Sequence, residues 1–562
     1  MENNMIKLSL GDWLYNAGVV GLVNILEHAN KNSVTYDDDN ARAVSFSINE
    51  LENFDKKFFN YFIDTYEHTL AWSKVVSYKN QIEQFERENY TNFNEQSLKI
   101  FNVYIDDLKK YLKSHSHVSA YKLIDFKFPA LDKEKEIKKV ILKKNEKLEN
   151  KIDEVKEMAN KIKEVISFYS QPDSKKYIAG KNVIYTIIKN AWNGVSILNP
   201  QTKEDDIYKD YNNYFPEDAI NYLLTDRKKS KFNCFVCDNK IDNLNTEMGF
   251  LNATGFDTSR KPSHVWNYDN DIAICPVCKL VYSCVPAGFT YVYNRGIFVN
   301  DNTSVERIVN ISNKIKFEVL KSDNMNANTT YKSIITAIQE KENESFKYEL
   351  ADIQVVRYED ESYRFNILSK QILKVFRESE KELNRIIKAS YKEADIYFQI
   401  YENLVKKLFN NENLFLLIHK LLIYKLSKPE NVFYSVGNIK DVILVNLNYL
   451  KGVGYMDKEK DVLKSYSGAG YYLREAYKKK SSENKLDGIS YKLLNALKTN
   501  NQGMFMDTLL NCYLYTDKQV PSFFTDCLKG KELFKTIGYA FVSGLIDGEE
   551  YVKKDNNESR EV

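Results

Sequence analysis

The N-terminal stretch LSLGDWLYNAGVVGLVNIL (8–26) repeats its apolar and small residues with a helical period. Leu14, Ala17, Gly18 and Gly21 fall on one face, since residues three, four and seven apart meet on one side of a helix. Each glycine inside a helix costs about 1 kcal/mol relative to alanine. We predict that another part of the chain approaches the Gly18–Gly21 face closely; the alternative is a contact with a partner subunit or a nucleic-acid backbone.

The hydrophobic period changes several times after this helix. Residues 34–48 become strand-like, because Val44, Phe46 and Ile48 alternate with two serines as in a half-buried strand. Residues 51–125 return to helical spacing. The stretch HSH at 115–117 is predicted as a solvated turn, because no cysteine or carboxylate cluster surrounds it. Residues 132–166 place apolar side chains at steps of three, four and seven among Lys and Glu, which predicts one long helix or a helical hairpin.

Residues 226–300 do not show helical periodicity but contain short apolar runs separated by turn residues. The stretch GFTYVYNRGIFVN (288–300) predicts a β-hairpin that turns at NRG, with Gly296 in a positive-φ conformation. The polar stretch KSDNMNANTTYK (321–332) predicts a loop or linker. After about residue 365 the spacing is helical again.

From about residue 456 the pattern predicts a compact helical bundle. Breaks rich in Gly, Asn and Pro, among them SGAG at 467–470, separate helical stretches from one another. These stretches are 459–479, 485–499, 502–514, 521–528 and 531–546.

Composition and charge limit the class of protein. A chain of 562 residues is too long for a single hydrophobic core. Its low numbers of glycines (20) and prolines (9) favour long helices over many short strands and turns. The net charge of +2 gives no global electrostatic footprint for nucleic acid, so any such binding must use local patches or partners. No stretch is long and apolar enough to span a membrane, and the first 30 residues do not resemble a secretory signal. With seven cysteines, an odd number, we expect a soluble protein of the reducing cytoplasm.

Two Cys-x-x-Cys pairs carry the clearest chemical signal. The pairs are Cys234 with Cys237 and Cys275 with Cys278, and together they offer the four soft ligands of a tetrahedral zinc site. A redox pair needs one such motif in a βαβ frame that the pattern does not show, and buried free thiols are the other alternative. Four sulfurs close the coordination shell, so we expect structural rather than catalytic zinc.

Motifs of known active sites are not found in the sequence. It contains no Gly-rich phosphate loop, no H-E-x-x-H and no G-x-S-x-G motif. We therefore expect a protein that is not an enzyme, with a zinc-dependent stand-alone nuclease as the alternative from another class.

The fold class predicted from these patterns is α+β and predominantly helical. A mixed N-terminal and central body carries an inserted four-cysteine zinc module, and a helical bundle forms the C-terminus. The predicted domains are a mostly helical N-terminal domain at 1–225, the zinc module with its hairpin at 226–320, a helical central region at 321–455 and the bundle at 456–562.

Several motifs together resemble a known family. GDWLYNAGVVGLVNIL near the N-terminus, the two CxxC pairs, CPVCKLVYSCVPAGF (275–289) and GIFVNDNTSVERIVNISN (296–313) are similar to the CXXC–CXXC family. That family provides the large subunit of the type I-B CRISPR interference complex, called Cascade. The resemblance is best up to about residue 315 and less specific in the helical C-terminus.

The resemblance implies a role in antiviral defence without nuclease activity. The subunit would sit beside the protein that holds the 5′ end of the guide, recognise a short protospacer-adjacent motif in double-stranded DNA, help to open the duplex and recruit the helicase-nuclease. Its partners would be CRISPR RNA, target DNA and the other Cascade subunits. In this branch a small subunit can be made by internal translation, and Met456 stands at the head of the predicted bundle.

Reading a DNA motif needs side chains at base edges, supported by Lys or Arg on phosphates. Local basic stretches are the candidates, and at each of them an ordinary solvated patch is the alternative. The candidate residues are Lys228, Lys229 and Lys231 before the first knuckle, Arg260 and Lys261 between the knuckles, and Arg295 at the expected hairpin tip. A scaffold subunit that touches no nucleic acid is the third functional hypothesis.

Overall fold

The computed structural model describes most of the chain and shows a predominantly helical α+β protein, which confirms the predicted fold class. The described residues are 5–37, 39–143, 146–246, 248–254, 273–292, 295–321, 332, 353–359, 361–427, 429–458 and 460–546. The chain forms two compact units: Met1–Leu320 with Val355–Phe365, and Lys321–Gln354 with Asn366–Val562. Among the described helices, none combines the length and apolar character that crossing a bilayer requires.

The first unit holds most of the strands. They are β1 (Met5–Ser9), β2 (Val34–Tyr36), β3 (Ala43–Ser47), β4 (Phe232–Asn233), β5 (Lys240–Ile241), β6 (Thr290–Val292), β7 (Arg295–Asn300), β8 (Ile353–Glu359) and β9 (Ser362–Leu368). The first residues of β8 and the last residues of β9 lie beyond the unit. The sheet orders are β1-β3-β2, β4-β5 and β6-β7-β8-β9. In the first sheet Val44 and Phe46 point into the core, so the strand predicted within 34–48 is confirmed.

Helices make up the rest of the first unit. They are α1 (Trp13–Ala29), α2 (Phe54–Tyr66), α3 (Ala71–Val76), α4 (Lys79–Arg87), α5 (Glu95–Leu112), α6 (His115–Tyr121), α7 (Ala130–Glu136), α8 (Ile152–Tyr169), α9 (Pro172–Ser174), α10 (Gly180–Thr186), α11 (Ile207–Tyr214), α12 (Pro216–Leu224), α13 (Pro276–Ser283), α14 (Val285–Gly288) and α15 (Val305–Lys321). A π-helical turn at Lys175–Ala179 joins α9 to α10.

Helix α1 is buried from Leu14 to Leu26 and lies against α13 and α14. A Cβ atom at Gly18 would lie 2.5 Å from the carbonyl oxygen of Val281, and one at Gly21 would overlap the carbonyl oxygen of Cys284. The approach is mutual, because a Cβ at Gly288 would overlap the carbonyl of Ala17. The predicted close approach within the chain is therefore confirmed.

The prediction of one long helix over 132–166 is wrong, and the alternative of a helical hairpin holds only at the two ends, where α7 contacts α8. Helix α7 ends at Glu136 and α8 begins at Ile152. Between them, the Asn102 side chain accepts a hydrogen bond from the Val140 backbone N–H at 3.0 Å and donates one to its carbonyl at 2.9 Å. Because α5 supplies these hydrogen bonds through Asn102, the segment around Val140 runs without helical bonds of its own.

The predicted solvated turn at 115–117 is also wrong. These residues begin α6, and the His117 side chain is fully buried. Its Nδ1 lies 2.9 Å from the Tyr169 hydroxyl and its Nε2 lies 3.4 Å from the Asn182 side-chain oxygen. Burial lowers the pKa of His117 to about 4, so it is a neutral core histidine.

The second unit is mostly helical and contains a small sheet that the sequence did not reveal. Its strands β10 (Ser390–Glu393), β11 (Ile396–Gln399) and β12 (Val432–Phe433) form a sheet of order β11-β10-β12. Its helices are α16 (Lys370–Glu378), α17 (Glu380–Ile386), α18 (Ile400–Phe409), α19 (Phe415–Ser427), α20 (Val436–Gly452), α21 (Asp461–Lys479), α22 (Leu486–Lys498), α23 (Gln502–Thr516) and α24 (Lys531–Ile546).

The stretch SGAG at 467–470 does not break a helix as predicted. It lies inside α21, where a Cβ at Gly470 would overlap the carbonyl of Phe541, and one at Gly544 of α24 would overlap the carbonyl of Ser467. These glycines let α21 and α24 pack backbone against backbone. Helix α24 also contacts α19 and α20, which lie outside the stretch predicted as a separate bundle. Most of the predicted linker 321–332 lies outside the described residues.

Candidate metal centre

The first Cys-x-x-Cys knuckle is built on the β4–β5 hairpin. Cys234 follows β4, and its backbone N–H donates to the Asn239 carbonyl at 2.8 Å. The Asp238 N–H returns to the Cys234 carbonyl at 3.0 Å, with Asp238 in a left-handed conformation at φ 58°. This tight turn brings the sulfurs of Cys234 and Cys237 to the same side of the hairpin.

The second knuckle is the beginning of α13. Cys275 is the N-cap residue, and its sulfur accepts a hydrogen bond from the Cys278 backbone N–H at 3.4 Å. Pro276 occupies the first helical turn, where a missing N–H costs nothing. The amino end of a helix favours negative charge, which suits ligands that bind metal as thiolates.

Backbone hydrogen bonds join the two knuckles. The Cys275 N–H donates to the Cys234 sulfur at 3.2 Å, and the Phe235 N–H donates to the Ala273 carbonyl at 2.9 Å. All four sulfurs lie within 4.8 Å of one another, and those of Cys237 and Cys275 are 3.6 Å apart. Zinc–sulfur bonds of about 2.3 Å in a tetrahedron place sulfurs about 3.8 Å apart. The described residues hold no other cluster of this kind.

The electrostatics of the cluster favour a bound cation. Hydrogen bonds from neighbouring thiols lower the pKa of Cys234, whereas hydrogen bonding to Cys234 and the proximity of the other sulfurs raise the pKa of Cys278. Like charges this close cannot all ionise without compensation. Cys234, Cys275 and Cys278 are buried and Cys237 is half-buried, so solvent does little to screen the repulsion.

The donor set therefore fits zinc. Four thiolates at near-tetrahedral spacing suit this ion and leave no open position for water. His264, the histidine between the two pairs in the sequence, lies outside the described residues. The remaining cysteines of the chain, Cys284, Cys512 and Cys527, are buried elsewhere, and burial raises the pKa of Cys284 and Cys527 to about 12.

Side chains around the cluster complete it, and sequence reasoning missed them. The Asn239 side-chain amide donates to the Cys237 sulfur at 3.3 Å. Tyr15 of α1 lies with its hydroxyl oxygen 3.9 Å from the Cys278 sulfur and its ring edge-on to Tyr282 at 5.6 Å. Burial raises the pKa of Tyr15, and negative charge on Cys278 raises it further, so the hydroxyl stays protonated and can donate to a thiolate. Tyr15 stands in the GDWLYN motif, but nothing in that motif indicates a partner at residue 278.

The basic stretch before the first knuckle lies at the surface. Lys228, Lys229 and Lys231 are all exposed, and Phe232 beside them is 40% exposed. Arg227 instead stacks on the Tyr222 ring, with its guanidinium carbon 3.8 Å from the ring centre. Three lysines are therefore presented to solvent within one short segment next to the cluster.

The other candidate basic residues have different outcomes. Arg260 and Lys261 lie outside the described residues. Arg295 is not at a hairpin tip, because it pairs with Val292 as the first residue of β7. Gly296 also lies in the strand and has no positive φ; a Cβ there would lie 2.5 Å from the Tyr291 ring. The hairpin prediction is confirmed, but the reason for its glycine is packing against an aromatic ring.

Comparison with known proteins bears on this same segment. No curated protein and no solved structure matches the chain. The family described as CRISPR-associated protein (Cas_CXXC_CXXC) matches residues 227–290, which contain all four cysteines of the cluster. The match supports a CRISPR-associated CXXC–CXXC protein, recognised through the segment that forms the metal centre.

Proposed function

We propose that this protein is the non-catalytic large subunit of a type I-B CRISPR RNA-guided surveillance complex. In this role it recognises the protospacer-adjacent motif, assists duplex opening and recruits the helicase-nuclease. The observation that carries the proposal is the coincidence of the family match at 227–290 with a closed four-cysteine centre. The same segment presents the exposed lysines at 228, 229 and 231.

The proposed role without catalysis rests on the ligand set. Cys234, Cys237, Cys275 and Cys278 would hold zinc, and the bound ion would supply a crosslink between the β4–β5 hairpin and α13. The chain's own hydrogen bonds already position these elements, as between Phe235 and Ala273. The centre would thus fix the surface on which the lysines stand.

We assign the lysines at 228, 229 and 231 to phosphate contacts on target DNA. Each lysine–phosphate contact on duplex DNA adds roughly 0.9 to the slope of log affinity against log salt. Replacing all three by Ala should therefore lower the slope by roughly 2.7 if each makes one contact. The matched control replaces three exposed lysines of the same unit, Lys99, Lys110 and Lys122. Equal slopes for the two triple variants would remove this patch from the interface.

Co-purification tests the function as a whole. A tagged chain expressed with its neighbouring genes should retain a guide RNA of uniform length and several protein partners. Partners without RNA would favour a scaffold, and metal-dependent cleavage by the isolated chain would favour a nuclease. Intact-mass measurement of the same complex should also detect a C-terminal product beginning near Met456, if internal translation supplies a small subunit.

A further inference from the structure

Three lysines converge on a small pocket in the second unit. Lys498 is the last residue of α22, and Lys531 and Lys535 stand in the first two turns of α24. The pocket has a volume of about 270 Å³. Its remaining lining residues are Asn413, Phe415, Leu416, Glu532 and Tyr539.

No carboxylate of the described residues forms a close ion pair with these amines. Within the described part of the chain, none of Lys498, Lys531 and Lys535 has an ion-pair partner within 4 Å, although Glu532 also lines the pocket. Other lysines of the unit are paired: Lys480 lies 2.9 Å from Asp517, for example. Three positive charges thus line the pocket against the single carboxylate of Glu532.

The placement of two of these lysines is unfavourable for the helix that carries them. Cations at the amino end of a helix face the positive end of its dipole. Lys531 and Lys535 are also four residues apart, a spacing at which like charges repel across one turn. Lys498, at the carboxyl end of α22, is the only one of the three that its own helix favours. Residues that destabilise the helix in which they stand are typical of functional sites.

The surroundings show the effect of this charge. Burial lowers the pKa of His419 to about 4, and the positive charges of Lys498 and Lys535 contribute to the shift. The Nδ1 atom of His419 is buried and has no hydrogen-bond partner. Burial also lowers the pKa of Lys535, and repulsion from Lys531 adds to this shift, while the charge of Glu532 opposes it.

The pocket combines a basic rim with an aromatic base. Lys535 lies 5.7 Å from the centre of the Phe415 ring, and Phe415 stacks on buried Tyr539 at 6.0 Å. Cations around an apolar base suit a compact anion attached to a less polar group. A volume slightly below the roughly 300–1,000 Å³ of ordinary ligand pockets admits a phosphate and its sugar rather than a larger molecule.

From this arrangement we infer that Lys498, Lys531 and Lys535 form a binding site for a phosphate group. The phosphate can belong to the end of a nucleic-acid strand, to an internal phosphodiester or to free phosphate; the three share the same recognition chemistry. The site lies in the second unit and does not depend on the function proposed for the segment 227–290.

The test compares two triple variants of the full chain that carry the same change of charge. The first is Lys498→Gln with Lys531→Gln and Lys535→Gln. The control replaces exposed lysines of the same unit that lie outside the pocket, Lys388, Lys479 and Lys518, by Gln. The probes are a six-nucleotide DNA with a 5′-phosphate, the same DNA with a 5′-hydroxyl, and inorganic phosphate, with a glutamate-rich peptide as the carboxylate competitor.

We expect the pocket variant to lose at least tenfold in affinity for phosphate-bearing probes, whereas the control keeps wild-type affinity. Preference for the 5′-phosphorylated DNA would identify the end of a strand as the ligand. Equal binding of both DNAs would identify an internal phosphodiester. Binding of inorganic phosphate without binding of either DNA would identify free phosphate. Without ligand, the pocket variant should melt at or above the wild-type temperature, because repulsion is relieved; a purely structural role would lower it. Equal affinities for the two triple variants, or binding of the peptide but of no phosphate probe, would overturn the inference.

Discussion

The contact between Tyr15 and the metal centre leads to a specific prediction. Tyr15→Phe removes one hydroxyl and keeps the ring that packs edge-on to Tyr282. The lost group lies 3.9 Å from the Cys278 sulfur, which is its only hydrogen-bond partner in the described part of the chain. Because a buried hydroxyl needs a partner and a thiolate is a charged acceptor, the change should weaken metal binding while the core stays packed.

The size of the effect follows from the geometry. A hydrogen bond to a charged group contributes about 1.5–3 kcal/mol, and the long oxygen–sulfur distance places this one at the lower limit. A loss of about 1.4 kcal/mol is tenfold in affinity. This agrees with the roughly 10–100-fold that mutation of groups around metal ligands typically costs. We therefore expect zinc to dissociate from Tyr15→Phe about ten times more readily.

The assay is competition for zinc with a chromogenic chelator, supported by the thiolate-to-metal absorption of the cobalt-substituted protein. Tyr282→Phe is the control, because its buried hydroxyl lies 3.5 Å from Asp12 rather than from a sulfur. Its affinity should match wild type, and the cobalt band should shift only in Tyr15→Phe. If both variants hold metal as tightly as wild type, Tyr15 does not support the centre.

Three further predictions concern stability. Replacing Cys275 and Cys278 by Ser should release the metal and speed hydrogen exchange across 226–300, because structural zinc contributes folding free energy; wild-type exchange would mean that the metal stabilises nothing. Gly21→Ala should destabilise the protein by about 2 kcal/mol, because the new Cβ would overlap a backbone carbonyl. Gly488→Ala should instead stabilise it by about 0.5–1 kcal/mol, because a Cβ there has no atom within 4 Å. Urea unfolding of the two variants distinguishes the opposite signs. Burial lowers the pKa of Lys316 from 10.5 to about 7. Between these pH values the unfolded chain binds more protons than the folded chain, so the stability of the wild type should rise with pH. If the urea midpoint of Lys316→Met rises with pH as much as that of the wild type, Lys316 is not the cause.

Local patterns were sufficient for the metal ligands and for the C-terminal helices. The stretches predicted at 459–479 and 485–499 end within two residues of α21 and α22. Helical period and terminating residues act over a few positions, so one sequence contains them. The Cys-x-x-Cys spacing is likewise local, which is why all four ligands were predicted before the structure brought them together.

Interactions between distant residues could not be predicted in this way. Tyr15 and Cys278 are separated by 263 positions, and only the packing of α1 on α13 brings them together. The Asn102 side chain replaced helical hydrogen bonds at Val140 from 38 positions away. The glycines near 467–470 have the composition of a helix break, but their partners in α24 make them a contact. In each case a tertiary partner decided between two local conformations.

The burial of α1 against α13 and α14 has a consequence for the order in which the protein forms. Every residue of α1 from Leu14 to Leu26 is buried, and its nearest backbone partners are at 281–288. A ribosome adding roughly 5–20 residues per second needs on the order of 10–50 s to make the residues in between. During that interval α2 can pack on the first helix, but the face that contacts α13 and α14 has no surface to cover it. An apolar face of α1 therefore stays exposed until α13 and α14 have been made. We expect the nascent chain to depend on chaperones that bind apolar helices.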